Sequence, residues 1–366
     1  MKKFAIYLPQ FHRIPENDEW WGEGFTEWEK VRNAKPLYKN HVQPIVPLNE
    51  NYYDLSDVSV MKWQYELAEK YGIDGFAYYH YYFKGKLLLE KPAENMLADQ
   101  TLDRKFFFIW ANHTWSRSWE GEKTELIRQE YGDEADWANH FDYLLKFFKD
   151  PRYEKKDNKP LFCVFSSAFR EKYEMFSFFE EKCKENGFDG LYLIEAFDNV
   201  SGGFDFPKNF LTCVKDLSKD TKAVYIRQPL TMEWTLYSGM QKRIFRKVRN
   251  ILSRRKGKHI VKYVMKLDAN KMVDNYCRLQ FPKTEVDLIQ SAFFSWDNTP
   301  RHGYRGYIIK PVDQKHFFKY MDRIKDSEYV LFNAWNEWAE GMVLEPTEQN
   351  GYKYLEWIKE WTDMNG

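Results

Sequence analysis

The sequence predicts a (β/α)8 barrel, with a single domain over residues 1–366, long loops after the strands and an insertion around residues 201–287. Eight short apolar, β-rich runs alternate with helical patterns, and polar and aromatic clusters follow the strand ends directly. The length of 366 residues also leaves room beyond the roughly 250 that such a barrel needs. A doubly wound sheet is the alternative, but no Gly-rich nucleotide fingerprint follows any strand.

Taken in order, Phe4–Leu8 reads as the first strand, left at once through Pro9-Gln10-Phe11-His12. The segment from Pro15 to Trp28 is too irregular for an element and too rich in indole for a solvated linker, so it reads as a loop that walls a pocket or covers the barrel mouth. Ser56 can cap a helix carrying Val60, Trp63, Leu67 and Tyr71 on one face, which Gly72 closes. Ile73–Tyr82 is a second strand and Phe106–Ala111 a third, followed by Asn112-His113-Thr114-Trp115. Helical pattern fills Glu134–Lys149 and Arg170–Asn186. Pro160–Ser166 and Leu191–Phe197 are the fourth and fifth strands. The sixth lies near Phe210–Val214 or at Ala223–Arg227; Leu288–Trp296 is the seventh, Tyr329–Ala334 the eighth, and Tyr352–Trp361 a last amphipathic helix.

Lys plus Arg and Asp plus Glu both number 55, so no global field attracts nucleic acid. Cys163, Cys183, Cys213 and Cys277 show no CxxC spacing, which points to a reducing compartment and no zinc site. The apolar stretch before Pro9 is too short for a signal sequence and no later run approaches 18 apolar residues, so the expectation is a soluble, cytoplasmic protein. Residues 241–262 hold ten Lys or Arg and no acid, with apolar residues at helical spacing. Such a helix can lie on an anionic membrane surface, here the inner membrane, or be a barrel helix with a solvated outer face.

The densest chemistry follows the eighth strand, in Trp335-Asn336-Glu337-Trp338-Ala339-Glu340-Gly341. Two carboxylates three positions apart among indoles suit acid/base work at an anomeric centre. In a helical turn their Cβ atoms would stand about 5–6 Å apart, a retaining rather than an inverting spacing. Flanked by Trp338 and Gly341, Glu340 is expected in the drier setting as the protonated acid, with Glu337 ionised. Tyr7, His12, Trp110, Asn112 and Asp297 fall at or beyond strand ends and are expected in one pocket with the two glutamates. Trp21, His113, Trp296, Arg301, Trp335 and Trp338 are further candidates for substrate contact. His80 has no partner at metal-ligand spacing and reads as a core or substrate-contacting histidine. Aromatic content of 19 %, with 14 Trp and 25 Tyr, supplies flat faces that suit sugar rings.

The motifs YLPQFHRIPENDEWWGEGFTEW, LLLEKPAENML, WANHTWSRSWEG, WDNTPRHG and NAWNEWAEG, with Leu344-Glu345-Pro346 after the last, resemble the WbsX-type proteins of bacterial O-antigen and capsule loci. These are glycoside hydrolase family 99-like and akin to endo-α-1,2-mannosidases. The resemblance implies a (β/α)8 barrel in which Glu337 is the base toward a sugar 2-hydroxyl, giving a 1,2-anhydro intermediate, and Glu340 is the acid/base. It implies no metal and no organic cofactor. This chain has His113 where the family pattern usually has Glu, and residues 201–287 carry the least resemblance. The expected function is a carbohydrate-active enzyme of surface-polysaccharide biosynthesis, a glycosyltransferase or glycoside hydrolase acting on an oligosaccharide or lipid-linked glycan. A non-catalytic glycan-binding barrel is the other reading.

Overall fold

The computed structural model describes residues 1–117, 124–197, 206–233, 235–236 and 264–365. The basic stretch 241–262 falls outside them. Eight parallel strands carry the architecture: β1 (Lys2–Tyr7), β2 (Gly75–Phe83), β3 (Lys105–Trp110), β4 (Lys159–Val164), β5 (Tyr192–Ala196), β6 (Thr221–Ile226), β7 (Asp287–Ala292) and β8 (Tyr329–Phe332). Each pairs with its neighbour in chain order. Pairing of β1 with both β8 and β2 closes the sheet into a (β/α)8 barrel. The strands are nearly continuous apolar runs because both faces are covered, one by the barrel interior and one by helices.

Helices α1 (Pro15–Trp21), α2 (Trp28–Arg32) and α3 (Val58–Lys70) lie between β1 and β2, and α4 (Lys91–Ala98) precedes β3. Then α5 (Glu134–Phe148), α6 (Lys172–Glu185), α7 (Phe206–Lys215) and α8 (Ala269–Tyr276) alternate with β4 to β7. The short α9 (Thr299–His302) and the longer α10 (Gln314–Ile324) follow β7, and α11 (Lys353–Asn365) follows β8. Among the described residues no helix is long and apolar enough to cross a membrane, and no cluster of three His, Cys, Asp or Glu side chains could hold a metal ion.

Several boundaries depart from the expectations. The sixth strand is the Ala223 run, and Phe210–Val214 belongs to α7. The segment from Pro15 is not wholly irregular: Pro15 stands in the first turn of α1, where its missing N–H costs nothing. The cap of α3 is Asp57, whose carboxylate accepts from Ser59 N at 2.8 Å, rather than Ser56. The seventh strand stops at Ala292. Trp296–Asp297 instead pairs antiparallel with Tyr307–Lys310 in a small second sheet.

Strand parity decides which residues can reach the barrel interior. Tyr7 is in register with Tyr78, and His80 with Trp110. These four face the helices, with Tyr7 Oη donating to Gln64 of α3 at 2.7 Å and His80 Nε2 lying 2.9 Å from His140 Nε2 of α5. Tyr79 and Tyr81 have the opposite parity and face inward at the C-terminal end of β2.

Candidate active site

Beyond β8 the chain forms a tight hairpin in which Asn336–Glu337 pairs antiparallel with Met342–Val343. A 3-10 turn, Trp338–Glu340, connects the two, and Gly341 ends it in the left-handed conformation at φ +62°. A side chain there would be strained, and its Cβ would stand 3.3 Å from Asp297. Asn336 ties the hairpin to β1 in the manner of a strand residue: Leu8 N donates to its Oδ1 at 2.8 Å, and its Nδ2 donates to Leu8 O at 2.9 Å. The two buried backbone groups of Leu8 are thereby satisfied where regular pairing has ended. Asn112 does the same between the ends of β3 and β4, accepting from Ser166 N at 2.8 Å and donating to Ser166 O at 2.6 Å.

The hairpin lines a cavity of about 360 Å³ at the C-terminal mouth of the barrel, the face where such folds assemble sites from their loops. Its walls carry a set of aromatic side chains, with Trp21 and Phe25 from the α1 region, Tyr79 and Tyr81 from β2, and Phe165, Tyr225 and Trp296 from later strands and their ends. Glu27, Glu337, Glu340, Arg227 and Arg301 supply the charge. Arg301 is almost enclosed, its side chain 7 % exposed. From Nη1 it donates to Glu340 Oε1 at 2.6 Å, from Nη2 to Glu337 Oε1 at 2.9 Å, and from Nε to Glu27 Oε1 at 2.7 Å, with a second contact from Nη2 to the same Glu27 oxygen. The other oxygen of Glu340 accepts from the Trp296 indole at 2.9 Å.

One cation therefore serves three carboxylates. Burial pushes the Glu337 carboxyl well above its ordinary value; Arg301 opposes the shift, and Glu340 and Glu27 add to it. Burial also raises Glu27, again against Arg301. Burial works against the charge of Arg301 as well, but the three acids hold it firmly protonated. The expected environments are thus reversed. Glu337, with its side chain 10 % exposed, is the more enclosed acid, and Glu340, at 19 %, is the more open. The hairpin places Glu337 in a buried strand, while Glu340 is the last and least buried residue of the turn.

Of the seven residues expected to share a pocket, Glu337 and Glu340 line this cavity and the other five do not. Tyr7 and Trp110 point to the helices, the Trp110 indole donating to Tyr82 O at 3.2 Å. Asn112 is consumed by its bonds to Ser166. His12 is buried off the cavity, where desolvation lowers its pKa. Asp297 accepts from Gln43 at 2.8 Å and from Thr299 N at 3.0 Å, and lies 2.7 Å from His41 Nε2. Burial works against its charge, yet these partners hold its pKa below the usual range, and the arrangement fixes the start of α9, which carries Arg301.

Among the remaining candidates, Trp21, His113, Trp296 and Arg301 line the cavity, whereas His80, Trp335 and Trp338 do not. His80 is stacked in the helix layer, and burial lowers its pKa to about 3. Trp335 meets Phe76 edge-on with ring centroids 5.1 Å apart. Trp338 donates to Glu345 at 2.8 Å beneath the hairpin. The His113 ring presents open surface to the cavity beside Phe165, yet the dense walls around it, with the Arg227 charge, push its pKa down to about 4.

Glu27, Tyr79, Tyr81, Phe165 and Arg227 are cavity residues that the sequence reading passed over. Strand alternation puts Tyr79 and Tyr81 together on the face opposite His80, but does not by itself say which face is the cavity's. Glu27 stands in Thr26-Glu27-Trp28, an acid-indole pair like Glu337-Trp338, on a segment already read as a pocket wall.

The fold is similar to that of the GH99 endo-alpha-mannosidase from Bacteroides thetaiotaomicron, with a TM-score of 0.55 at 13 % identity, covering 99 % of this chain and 96 % of that one. A solved glycoside hydrolase-like protein gives the same TM-score at 14 % identity, with 98 % and 93 % covered. The protein WxcX of Xanthomonas campestris pv. campestris is 31 % identical over 372 residues, 96 % of this chain and 48 % of that protein. WxcX of a second strain matches at 31 % over 381 residues with the same coverage, so the chain spans about half the length of these relatives. The family model described as "Glycosyltransferase WbsX" matches residues 3–358, and the chain belongs to that family.

Proposed function

We propose that this chain is a carbohydrate-active enzyme of surface-polysaccharide biosynthesis, acting as one catalytic domain that cleaves or transfers glycosyl units. The observation that carries the reading is the pair Glu337 and Glu340, both held by Arg301 in an aromatic-walled cavity at the C-terminal mouth of the barrel. The family's description and the glycosidase fold support it. Aromatic faces such as Trp21 and Tyr81 suit the apolar faces of sugar rings.

In this reading Glu337 accepts the proton of a substrate hydroxyl beside the anomeric carbon. That oxygen displaces the aglycone to give a 1,2-anhydro sugar, while Glu340 gives the departing oxygen its proton. Water or an acceptor hydroxyl then opens the anhydro ring, with Glu340 taking its proton and Glu337 returning the first proton to the 2-oxygen, so both acids regain their starting states and the configuration is retained overall. Burial raises the Glu337 carboxyl above its ordinary value, and a carboxylate so raised is the stronger base once ionised. Arg301 keeps the two acids at fixed positions. The roles of Glu337 and Glu340 come from the family resemblance, and the environments do not assign the acid.

The substrate class we favour is an α-linked oligosaccharide, free or lipid-linked. The test is incubation with α-linked oligosaccharides and with nucleotide-sugar and lipid-linked donors, followed by mass spectrometry of all products. Shortened glycans mean hydrolysis and lengthened ones transfer. Intact substrates that nevertheless bind to the protein would favour a glycan-binding barrel.

A further inference from the structure

We propose that Glu27 is a positioning residue of the catalytic pair, fixing through Arg301 how the guanidinium is shared between Glu337 and Glu340. This rests on the catalytic reading of those two acids. Glu27 immediately precedes α2, which packs against the hairpin turn with the rings of Trp28 and Trp338 5.4 Å apart, and it reaches Arg301 across 274 residues of sequence. Its Oε1 takes the Nε edge of the guanidinium and shares Nη2 with Glu337. The guanidinium is a rigid planar fork, so anchoring that edge on Glu27 fixes the direction of Nη1, the group that holds Glu340.

Stability alone does not account for this residue. Its side chain is 4 % exposed, and its second oxygen, Oε2, is buried with no hydrogen-bond partner among the described residues. An ionised carboxylate with an unsatisfied oxygen is costly to bury, and Arg301 already has two other anionic partners. What Glu27 adds is competition for the charge of Arg301. The groups facing it are Arg301, Glu340 and Lys30; those facing Glu337 are Arg301, Glu340, Glu27 and the hydroxyls of Tyr79 and Tyr81. Neutralising Glu27 passes more of the Arg301 charge to Glu337 and makes Glu337 a weaker base.

The experiment needs no substrate. Protein labelled at the glutamate side-chain carboxyl carbon with 13C is titrated by NMR as wild type, Glu27→Gln and Glu27→Asp, with Glu337→Gln identifying the Glu337 signal. Glu27→Gln keeps the size and one acceptor oxygen, and the Glu337 midpoint is expected to fall by about one pH unit, a tenfold loss of proton affinity. Glu27→Asp keeps the charge but withdraws it, and its midpoint is expected between the other two. A wild-type midpoint in folded Glu27→Gln overturns the proposal; should that variant not fold, a wild-type midpoint in Glu27→Asp does so. A failed product assay would leave this titration standing, and a failed titration would leave the product assay untouched.

Discussion

Arg301 holds Glu340 through Nη1 at 2.6 Å, and the same side chain is the cation for Glu337 and Glu27. Deleting that charge should be severe. Arg301→Met leaves three enclosed carboxyls without their cation, and breaking a buried pair of this kind costs about 3–5 kcal/mol. The sign of the pH dependence follows from linkage. In the variant the folded-state pKa values rise above those of the unfolded chain, so the folded state binds more protons and is penalised as pH rises. Urea unfolding at pH 8 and pH 5.5 should show a deficit that shrinks at the lower pH. A deficit independent of pH would mean that Arg301 acts by packing alone.

Glu345 underlies the hairpin, accepting from Tyr53 at 2.7 Å, Gln64 at 2.6 Å and Trp338 at 2.8 Å. Burial nevertheless pushes its pKa from 4.5 to about 7. Because the folded value lies above the unfolded one, the stabilising contribution is fully present below pH 4.5 and is lost as pH rises to 7, by about 3 kcal/mol at 1.36 kcal/mol per unit. Glu345→Gln should therefore flatten the fall in unfolding free energy between pH 5 and 7. An unchanged slope would assign that fall to other groups.

Asn112 lies close to the cavity, but its side chain is spent on Ser166. Asn112→Ala should cost about 1 kcal/mol, the penalty of leaving the part-buried Ser166 backbone groups without their partner, while sugar affinity of the folded fraction changes little. Thermal melts and a binding titration on the same sample would check both halves. Lost affinity at unchanged stability would return Asn112 to the cavity.

Much of the fold was legible because a closed parallel barrel requires apolar runs of strand length, and Phe4–Leu8, Phe106–Ala111 and Tyr329–Ala334 have no other plausible use. The acid pair was legible too, since Glu337 and Glu340 interrupt indoles where a strand ends. The direction of each side chain was not. His80 and Tyr81 are adjacent and both aromatic, and only the register of β2 sends one to the helices and the other to the cavity. Glu27 and Arg301 are far apart in sequence, and no local pattern announces that they meet. The order of burial of the two glutamates was misjudged because Gly341 and Trp338 suggest enclosure of Glu340, whereas the end of the hairpin turn leaves it partly open to the cavity.

The ten Lys and Arg between 241 and 262 give a separate expectation. Near an anionic bilayer each contributes about 1 kcal/mol, so even half of them would produce binding at low salt. Co-sedimentation should rise from neutral to phosphatidylserine-containing vesicles and fall with added salt. Equal sedimentation with both lipids would make the stretch an ordinary solvated surface.

The division of labour between Glu337 and Glu340 is tested most directly by comparing their glutamine variants on two substrates that share a glycone, one with a sugar leaving group and one with an activated aryl group. Protonation of the departing oxygen matters only when that oxygen is basic, so Glu340→Gln should lose on the order of a hundredfold or more on the sugar and far less on the aryl substrate. Glu337→Gln should be crippled on both, because the 2-hydroxyl must be activated whatever departs. Equal losses for both variants on the activated substrate would contradict the assignment.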